Sequence, residues 1–238
     1  MKAMILAAGL GTRLKPWTDH HPKALALVNG KSLLERNVKY LMSFGVNDIV
    51  VNVHHFADQI RDAIIANDGW GANISISDET NEVLETGGGL LKAQPLLDDG
   101  DQLVLMNVDI LTQLDLKELI RLHQLNDAIA TLAVSERASS RAFLFDDAMH
   151  LCGWQNSSTQ EQKIMRNEPN LKPFAFSGIH IISTRIFSDC PFTGKFGMVD
   201  WYLSICAKHT IMGYEHTGIP VLDVGKPESI TKAEEMFG

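Results

Sequence analysis

Cysteine is scarce in this chain of 238 residues; Cys152, Cys190 and Cys206 are the whole set. Three scattered thiols supply neither a disulfide framework nor the paired spacing of a zinc site, so they read as reduced and mostly buried. Basic charge is also short. The chain has 21 Lys and Arg against 29 Asp and Glu, a net charge of −8, which argues against nucleic acid or an anionic membrane as partner. No run approaches the roughly 18 apolar residues of a membrane span. There is no internal repeat, low-complexity tract or long linker, and hydrophobic residues at 45% can fill a sizeable core. One domain over 1–238 is expected, with 1–135 and 136–238 as its two portions. The apolar start, Met1 to Ala8, runs straight into Gly9 and Arg13. It therefore reads as a strand rather than a signal sequence, and the cytoplasm is the expected location.

What the chain does have is alternation. Ala3 to Ala8, Asp48 to Val53, Asn73 to Ser77, Gln102 to Met106 and Ala128 to Ser135 read as strands. Ser32 to Phe44, Phe56 to Asn67, Glu85 to Leu97 and Asp115 to Leu125 carry apolar residues at helical spacing between them. This predicts an α/β three-layer sandwich with a mostly parallel, mixed central sheet. Beyond Ser135, strand-like runs at Arg141 to Phe145, Met149 to Trp154 and Phe174 to Ile182 predict a small β-rich lobe. A helix at Met198 to Lys208, a strand at Ile211 to His216, a brief strand near Asp223 and a terminal helix after Pro227 follow.

The most informative segment is Leu6-Ala7-Ala8-Gly9-Leu10-Gly11-Thr12-Arg13-Leu14-Lys15-Pro16, with Pro22-Lys23-Ala24-Leu25 after it. Glycines after an apolar run free backbone N–H groups to cup phosphate oxygens, and Arg13 and Lys23 add positive charge there. Leu14 stands where a dinucleotide-binding turn needs its third glycine, and Leu25 where a P-loop ending in Gly30-Lys31-Ser32 needs its first. The pattern that remains is a long phosphate loop. Ala8, Gly9, Gly11, Thr12, Arg13 and Lys23 are its nucleotide-binding candidates, and an NTP is the expected ligand.

Two carboxylates far apart in sequence come next. Asp109 ends a buried strand, where ligands gather in open α/β sheets, and Asp223 ends another short apolar run before Gly225. If they meet beside phosphates they suit Mg²⁺, which takes few carboxylates together with phosphate oxygens and waters. Glu85-Thr86-Gly87-Gly88-Gly89 opens a helix with room for a ligand close to the backbone, and Ser177-Gly178 repeats that signal in a strand. Asp78 and Glu79 follow a strand near the expected base pocket, where a carboxylate can accept from a base N–H. His20-His21 and His54-His55 read as loop residues, not metal ligands.

On these residues the chain resembles the sugar-1-phosphate nucleotidyltransferases. Leu6 to Pro16, Pro22 to Leu25, Leu84 to Gly89, Asn107 to Asp109, Phe176 to Ile179 and Asp223 to Glu228 carry the likeness, and Glu85 to Gly89 is similar to the compact uridylyltransferases acting on N-acetylmuramate 1-phosphate. The resemblance implies a Rossmann-like nucleotidyltransferase fold in which a sugar 1-phosphate attacks the α-phosphorus of an NTP and pyrophosphate leaves. It implies Arg13, Lys23 and Asp109 as catalytic residues, and Asp109 with Asp223 as Mg²⁺ ligands. Glu85, Thr86, Gly87, Ser177 and Gly178 fall to the sugar phosphate, and Asp78 to the nucleotide. UTP with N-acetylmuramate 1-phosphate and GTP with mannose 1-phosphate are candidate pairs, in a monomer or small homo-oligomer. A cytidylyltransferase for phosphocholine-like substrates and a non-catalytic nucleotide-sugar sensor are the alternatives. Aromatic residues at only 7% speak against the cation cage that choline requires. The chain departs from the family at Val108, where glycine is usual. It also lacks a clear Glu-Lys-Pro element: Asn167-Glu168-Pro169 echoes it in part, leaving Lys172 or Lys195 to supply a cation.

Overall fold

A computed structural model describes Met1–Gly238. The apolar start forms β1 (Lys2–Leu6), buried from Ala3 onward. Three single 3₁₀ turns follow at Thr12–Leu14, Trp17–Asp19 and Lys23–Leu25, then a short hairpin of β2 (Leu27–Val28) and β3 (Lys31–Ser32). Ser32 starts α1 (Leu33–Ser43) because its Oγ accepts the otherwise unpaired Glu35 N–H at 3.1 Å. The alternation continues through β4 (Asp48–Val53), α2 (Ala57–Ala66), β5 (Asn73–Asp78), α3 (Glu85–Leu97), β6 (Gln102–Asn107), β7 (Ile110–Thr112), α4 (Leu116–Leu125) and β8 (Ala130–Ser135). Asp115 caps α4, with Oδ1 accepting from Lys117 N at 2.9 Å.

The second portion opens with an antiparallel meander of β9 (Arg141–Phe145), β10 (Leu151–Asn156) and β11 (Glu161–Ile164). Then come β12 (Lys172–Ser183), α5 (Met198–Ile205), β13 (Ile211–Glu215), β14 (Val221–Asp223) and α6 (Pro227–Met236). The main sheet has the order β5-β4-β1-β6-β12-β8-β13. Its first four strands are parallel, as are β8 and β13; β12 alone is reversed. The expected mixed, mostly parallel sheet is therefore present. Strand β12 also serves the expected β-rich lobe, because Lys172–Phe174 pairs with β9 before the rest of the strand enters the main sheet. Strand β11 is not apparent in the sequence pattern; Glu161-Gln162-Lys163 lacks apolar alternation, as suits a solvent-facing edge strand.

Strand alternation divides the interior into two layers. Met4 and Leu6 point to one side, against α3 and α5. Ala3, Ile5 and Ala7 point to the other, against α1, α2 and α4. A third, smaller cluster joins Leu14, Val28, Leu33, Leu111, Val224 and Ala233. It brings the N-terminal loop, β7, β14 and α6 together at one corner. No helix is long and apolar enough to cross a membrane.

Candidate active site

The parallel strands β1, β4, β5 and β6 all end at one edge of the sheet, the edge where open α/β folds bind ligands. A cleft of about 250 Å³ lies there, walled by Ala7, Ala8 and Gly9 on one side and Val83, Glu85 and Thr86 on the other. Asn52, Val108 and Asp109 complete it, and Lys23 reaches in. A larger cleft of about 680 Å³ sits at the opposite edge, beside Gln102 and Ser183. Its one arginine, Arg185, is already paired with Asp127 at 2.8 Å, and no glycine-rich loop enters it, so the smaller cleft is the candidate site.

Two acid–cation pairs belong to this corner of the fold, and one of them, Lys23 with Asp109, lines the cleft. Lys23 Nζ donates to Asp109 Oδ2, with both side chains largely buried. Arg13 Nη2 donates to Asp223 Oδ2 at 3.3 Å. The backbone brings together the two segments, far apart in sequence, that carry these aspartates. Strand β14 pairs antiparallel with β7, placing Asp223 opposite Ile110, and Val224 N–H donates to the Asp109 carbonyl at 2.8 Å. The small apolar cluster holds Leu14 and Val224 in the same corner, so Arg13 and Asp223 arrive together.

Glycines make these approaches possible at two points. Gly11 has φ +62, and a Cβ there would lie 2.9 Å from Thr18 Cγ2 and 3.0 Å from Lys23 Cβ. Its bare Cα lets the Lys23 stem cross the loop. A Cβ on Gly225 would lie 2.6 Å from Arg13 Nη2 and 2.9 Å from Arg13 Cζ. Asp109 and Asp223 are each paired with a cation, and no group of three or more His, Cys, Asp or Glu side chains gathers around either. Carboxylate oxygens are the ligands a hard divalent cation takes, with phosphate and water completing the shell.

A nucleotidyl transferase family model matches residues 2–143. The chain is 32% identical to N-acetylmuramate alpha-1-phosphate uridylyltransferase of Caulobacter vibrioides, over 98% of this chain and 95% of that protein. The chain belongs to the nucleotidyl transferase family. The Neisseria meningitidis protein of the same name is 29% identical over 100% of this chain and 99% of its own length. Among solved structures, HddC from Yersinia pseudotuberculosis superposes with a TM-score of 0.81 at 27% identity, covering 100% of this chain and 99% of that one.

Several residues expected at the site are placed elsewhere or used differently by this family member. Asp78 does not line the cleft. Its carboxylate accepts the Thr80 N–H at 2.8 Å and pairs with Arg61 Nη2 at 2.5 Å; hydrogen bonding from Thr80 first, and Arg61 after it, depress its pKa to about 2. The adjacent Glu79 points inward and is fully buried. Gly87 and Gly88 have no free amides, because both donate to the Phe196 carbonyl, at 2.9 and 3.1 Å. A Cβ on Gly87 would strike the Phe196 ring and one on Gly88 the Gly194 carbonyl oxygen, so these glycines serve close packing. Thr86 lines the cleft while its Oγ1 accepts from Met198 N at 2.9 Å, fixing the start of α5.

Glu85 lines the cleft and lies 3.6 Å from Lys195 Nζ, whereas Lys172 is paired with Asp147 at 2.8 Å. Of the two lysines, Lys195 is therefore the one beside the cleft. Ser177 is buried, its Oγ 2.8 Å from His216 Nε2, and it does not face the cleft. Gly178, at φ +77, lies over Ile110 and Asn107; a Cβ there would sit 2.6 Å from Ile110 Cγ1. Asn52 is visible in the sequence only as the polar residue near the end of a strand. In the fold it is a cleft-lining group that accepts the Ala7 N–H at 2.7 Å.

Proposed function

We propose that the chain transfers a nucleoside monophosphate from an NTP to a sugar 1-phosphate, giving an NDP-sugar and pyrophosphate. The observation that carries this reading is the Lys23–Asp109 pair lining one cleft beside Ala8 and Gly9, with the Arg13–Asp223 pair on the segments joined to it through the Val224 N–H to Asp109 carbonyl bond. Ala8, Gly9, Gly11 and Thr12 shape the phosphate-binding backbone. Arg13 steadies the departing phosphates through its planar fork, and Lys23 faces the α-phosphate. The acceptor phosphate oxygen is already an anion, so no residue has to remove a proton. The barrier lies in gathering anions and dispersing charge, which positioning and fixed cations lower.

Asp109 and Asp223 would hold Mg²⁺, which when bound neutralises phosphate charge and polarises the reacting phosphoryl group. Residues 1–135 carry the nucleotide side, and 136–238, with Lys195 beside Glu85, the sugar-phosphate side. The relatives aligned over nearly their whole length are named for N-acetylmuramate 1-phosphate and uridylyl transfer, which makes UTP with that sugar phosphate the leading pair. No aromatic residue lines the cleft, so a choline headgroup would find no cation cage.

The test is a matrix of the four NTPs against a panel of sugar 1-phosphates and phosphocholine, read as pyrophosphate. The expected result is release with UTP and N-acetylmuramate 1-phosphate above every other pair. Release only with CTP and phosphocholine would replace the acceptor assignment. No release from any pair would favour the nucleotide-sensor reading.

A further inference from the structure

A buried polar pair runs from the lining of the cleft into the interior, and the proposed reaction assigns it no role. Asn52, on β4, and Glu79, directly after β5, are 2% and 0% exposed. Asn52 Oδ1 accepts the Ala7 N–H at 2.7 Å, and Asn52 Nδ2 donates to Glu79 Oε1 at 2.7 Å. The second carboxylate oxygen, Glu79 Oε2, accepts the Leu84 N–H at 3.4 Å. The chain of contacts therefore runs Ala7–Asn52–Glu79–Leu84. Ala7 begins one wall of the cleft, and Leu84 lies between Val83 and Glu85 of the other. Gly89 closes the back: a Cβ there would lie 2.7 Å from Glu79 Oε1 and 2.9 Å from Asn52 Nδ2. The pair has no room to move toward α3.

We infer that Asn52 and Glu79 form a strut that sets the separation of the two cleft walls, acting as positioning residues for the nucleotide. This rests on the proposed reading that an NTP occupies the cleft. The chemistry of the strut is directional. Glu79 faces two donors, Asn52 Nδ2 and Leu84 N–H, so it must accept at both oxygens. A carboxylate does this and an amide does not. Glutamine at this position turns an NH₂ group toward one of the two donors. Rotating the Asn52 amide to relieve that conflict would point a donor at the Ala7 N–H instead. Burial raises the Glu79 pKa above the ordinary carboxylate range, and the bonds from Asn52 and Leu84 oppose that rise. Glu79 does not line the cleft, and its buried carboxyl group incurs a desolvation penalty that an apolar side chain would not.

The directionality supplies its own rescue. In the double variant Asn52→Asp/Glu79→Gln, the new aspartate accepts from Ala7 with one oxygen and from the introduced glutamine amide with the other. The glutamine oxygen then accepts from Leu84, and every donor again meets an acceptor. The experiment compares the full-length protein, Glu79→Gln and the double variant in three measurements. These are NTP affinity by titration without acceptor, KM for the acceptor, and amide exchange at Ala7 and Leu84. The expected result for Glu79→Gln is an NTP Kd weaker by about tenfold, the scale of one lost buried hydrogen bond. Its acceptor KM stays within about twofold, and Leu84 exchange is faster. The double variant regains most of the affinity and the protection. Unchanged NTP affinity in Glu79→Gln, an equal loss on both substrates, or a double variant no better than the single would overturn the strut. A wild-type protein that binds no NTP would instead overturn the proposed function, and is distinguishable because it fails before any substitution is made.

Discussion

At the scale of single residues, the cleft depends on two acid–base pairs whose members have different jobs. Lys23 and Asp109 are largely buried together, whereas Arg13 and Asp223 are about half exposed, at 55% and 45%. The exposed pair contributes little to stability, so its members can be exchanged for other partners at small cost. Substituting Asp109→Asn or Asp223→Asn is therefore expected to abolish pyrophosphate release while leaving the far-UV circular dichroism spectrum unchanged. Near-wild-type turnover in either variant would remove that residue from the reaction. Arg13→Ala is expected to lose at least about 100-fold in kcat/KM, the scale of a removed transition-state charge donor; steady-state rates within twofold of wild type would contradict its role. The neighbours Asp78 and Glu79 show why residue type alone does not assign a role. One carboxylate is bound to Arg61 at the surface and the other to Asn52 in the interior. The sequence marks both as acids after a strand, while their directions follow from which partner each meets.

At the scale of elements, the start of α3 shows packing and function sharing one motif. Three consecutive glycines suggest an open anion site, yet the loop Gly194 to Phe196 occupies that space. The glycines let α3 sit against the loop so that Glu85 and Thr86 face the cleft. Gly88→Ala brings a methyl group onto the backbone oxygen of Gly194, and overpacking of this kind costs about 1–3 kcal/mol. Gly100 is the control, because a Cβ there meets nothing within 4 Å. A thermal melt is expected to show Gly88→Ala several degrees below wild type and Gly100→Ala close to it. Equal melting temperatures would show that the loop yields at no cost. Helices with a cap and a strong apolar stripe, such as α1 after Ser32 and α4 after Asp115, were legible from the sequence nearly to the residue. Strand β11 was not, because its exposed face supplies no alternation.

At the scale of the whole molecule, stability is tied to pH through buried imidazoles. Burial lowers the pKa of His123 to about 4 and that of His180 to about 3, from 6.5. His216 is lowered too, mainly by burial. His123 lies by Thr131 Oγ1 at 3.0 Å and His180 by the Tyr202 hydroxyl at 2.6 Å. Each is neutral in the folded chain and protonates near its ordinary pKa when unfolded. Their contribution is thus complete above pH 6.5 and is lost as pH falls toward their folded values, by at most about 1.4 kcal/mol per pH unit for each group. Glu79 acts in the opposite sense, because its raised pKa favours the folded chain as pH falls through that value. The histidines outnumber it, so melting temperature is expected to fall between pH 6.5 and 5. His123→Gln should make that decline shallower, and an unchanged slope would exclude His123 as a contributor.

Local pattern alone determined the order of strands and helices, the caps of α1 and α4, and the glycine-rich, cation-bearing character of the Gly9 to Lys23 segment. Apolar period, capping groups and glycine freedom are properties of a few neighbouring residues. Tertiary structure decided everything that requires two distant segments to meet. It paired β14 with β7 so that Val224 N–H meets the Asp109 carbonyl, and it joined Ala7 to Leu84 through Asn52 and Glu79. It also directed Ser177 to His216 rather than to the cleft. A sequence shows that a polar side chain lies near a buried strand; which donor or acceptor satisfies it depends on the neighbour that the sheet order and the apolar clusters bring alongside.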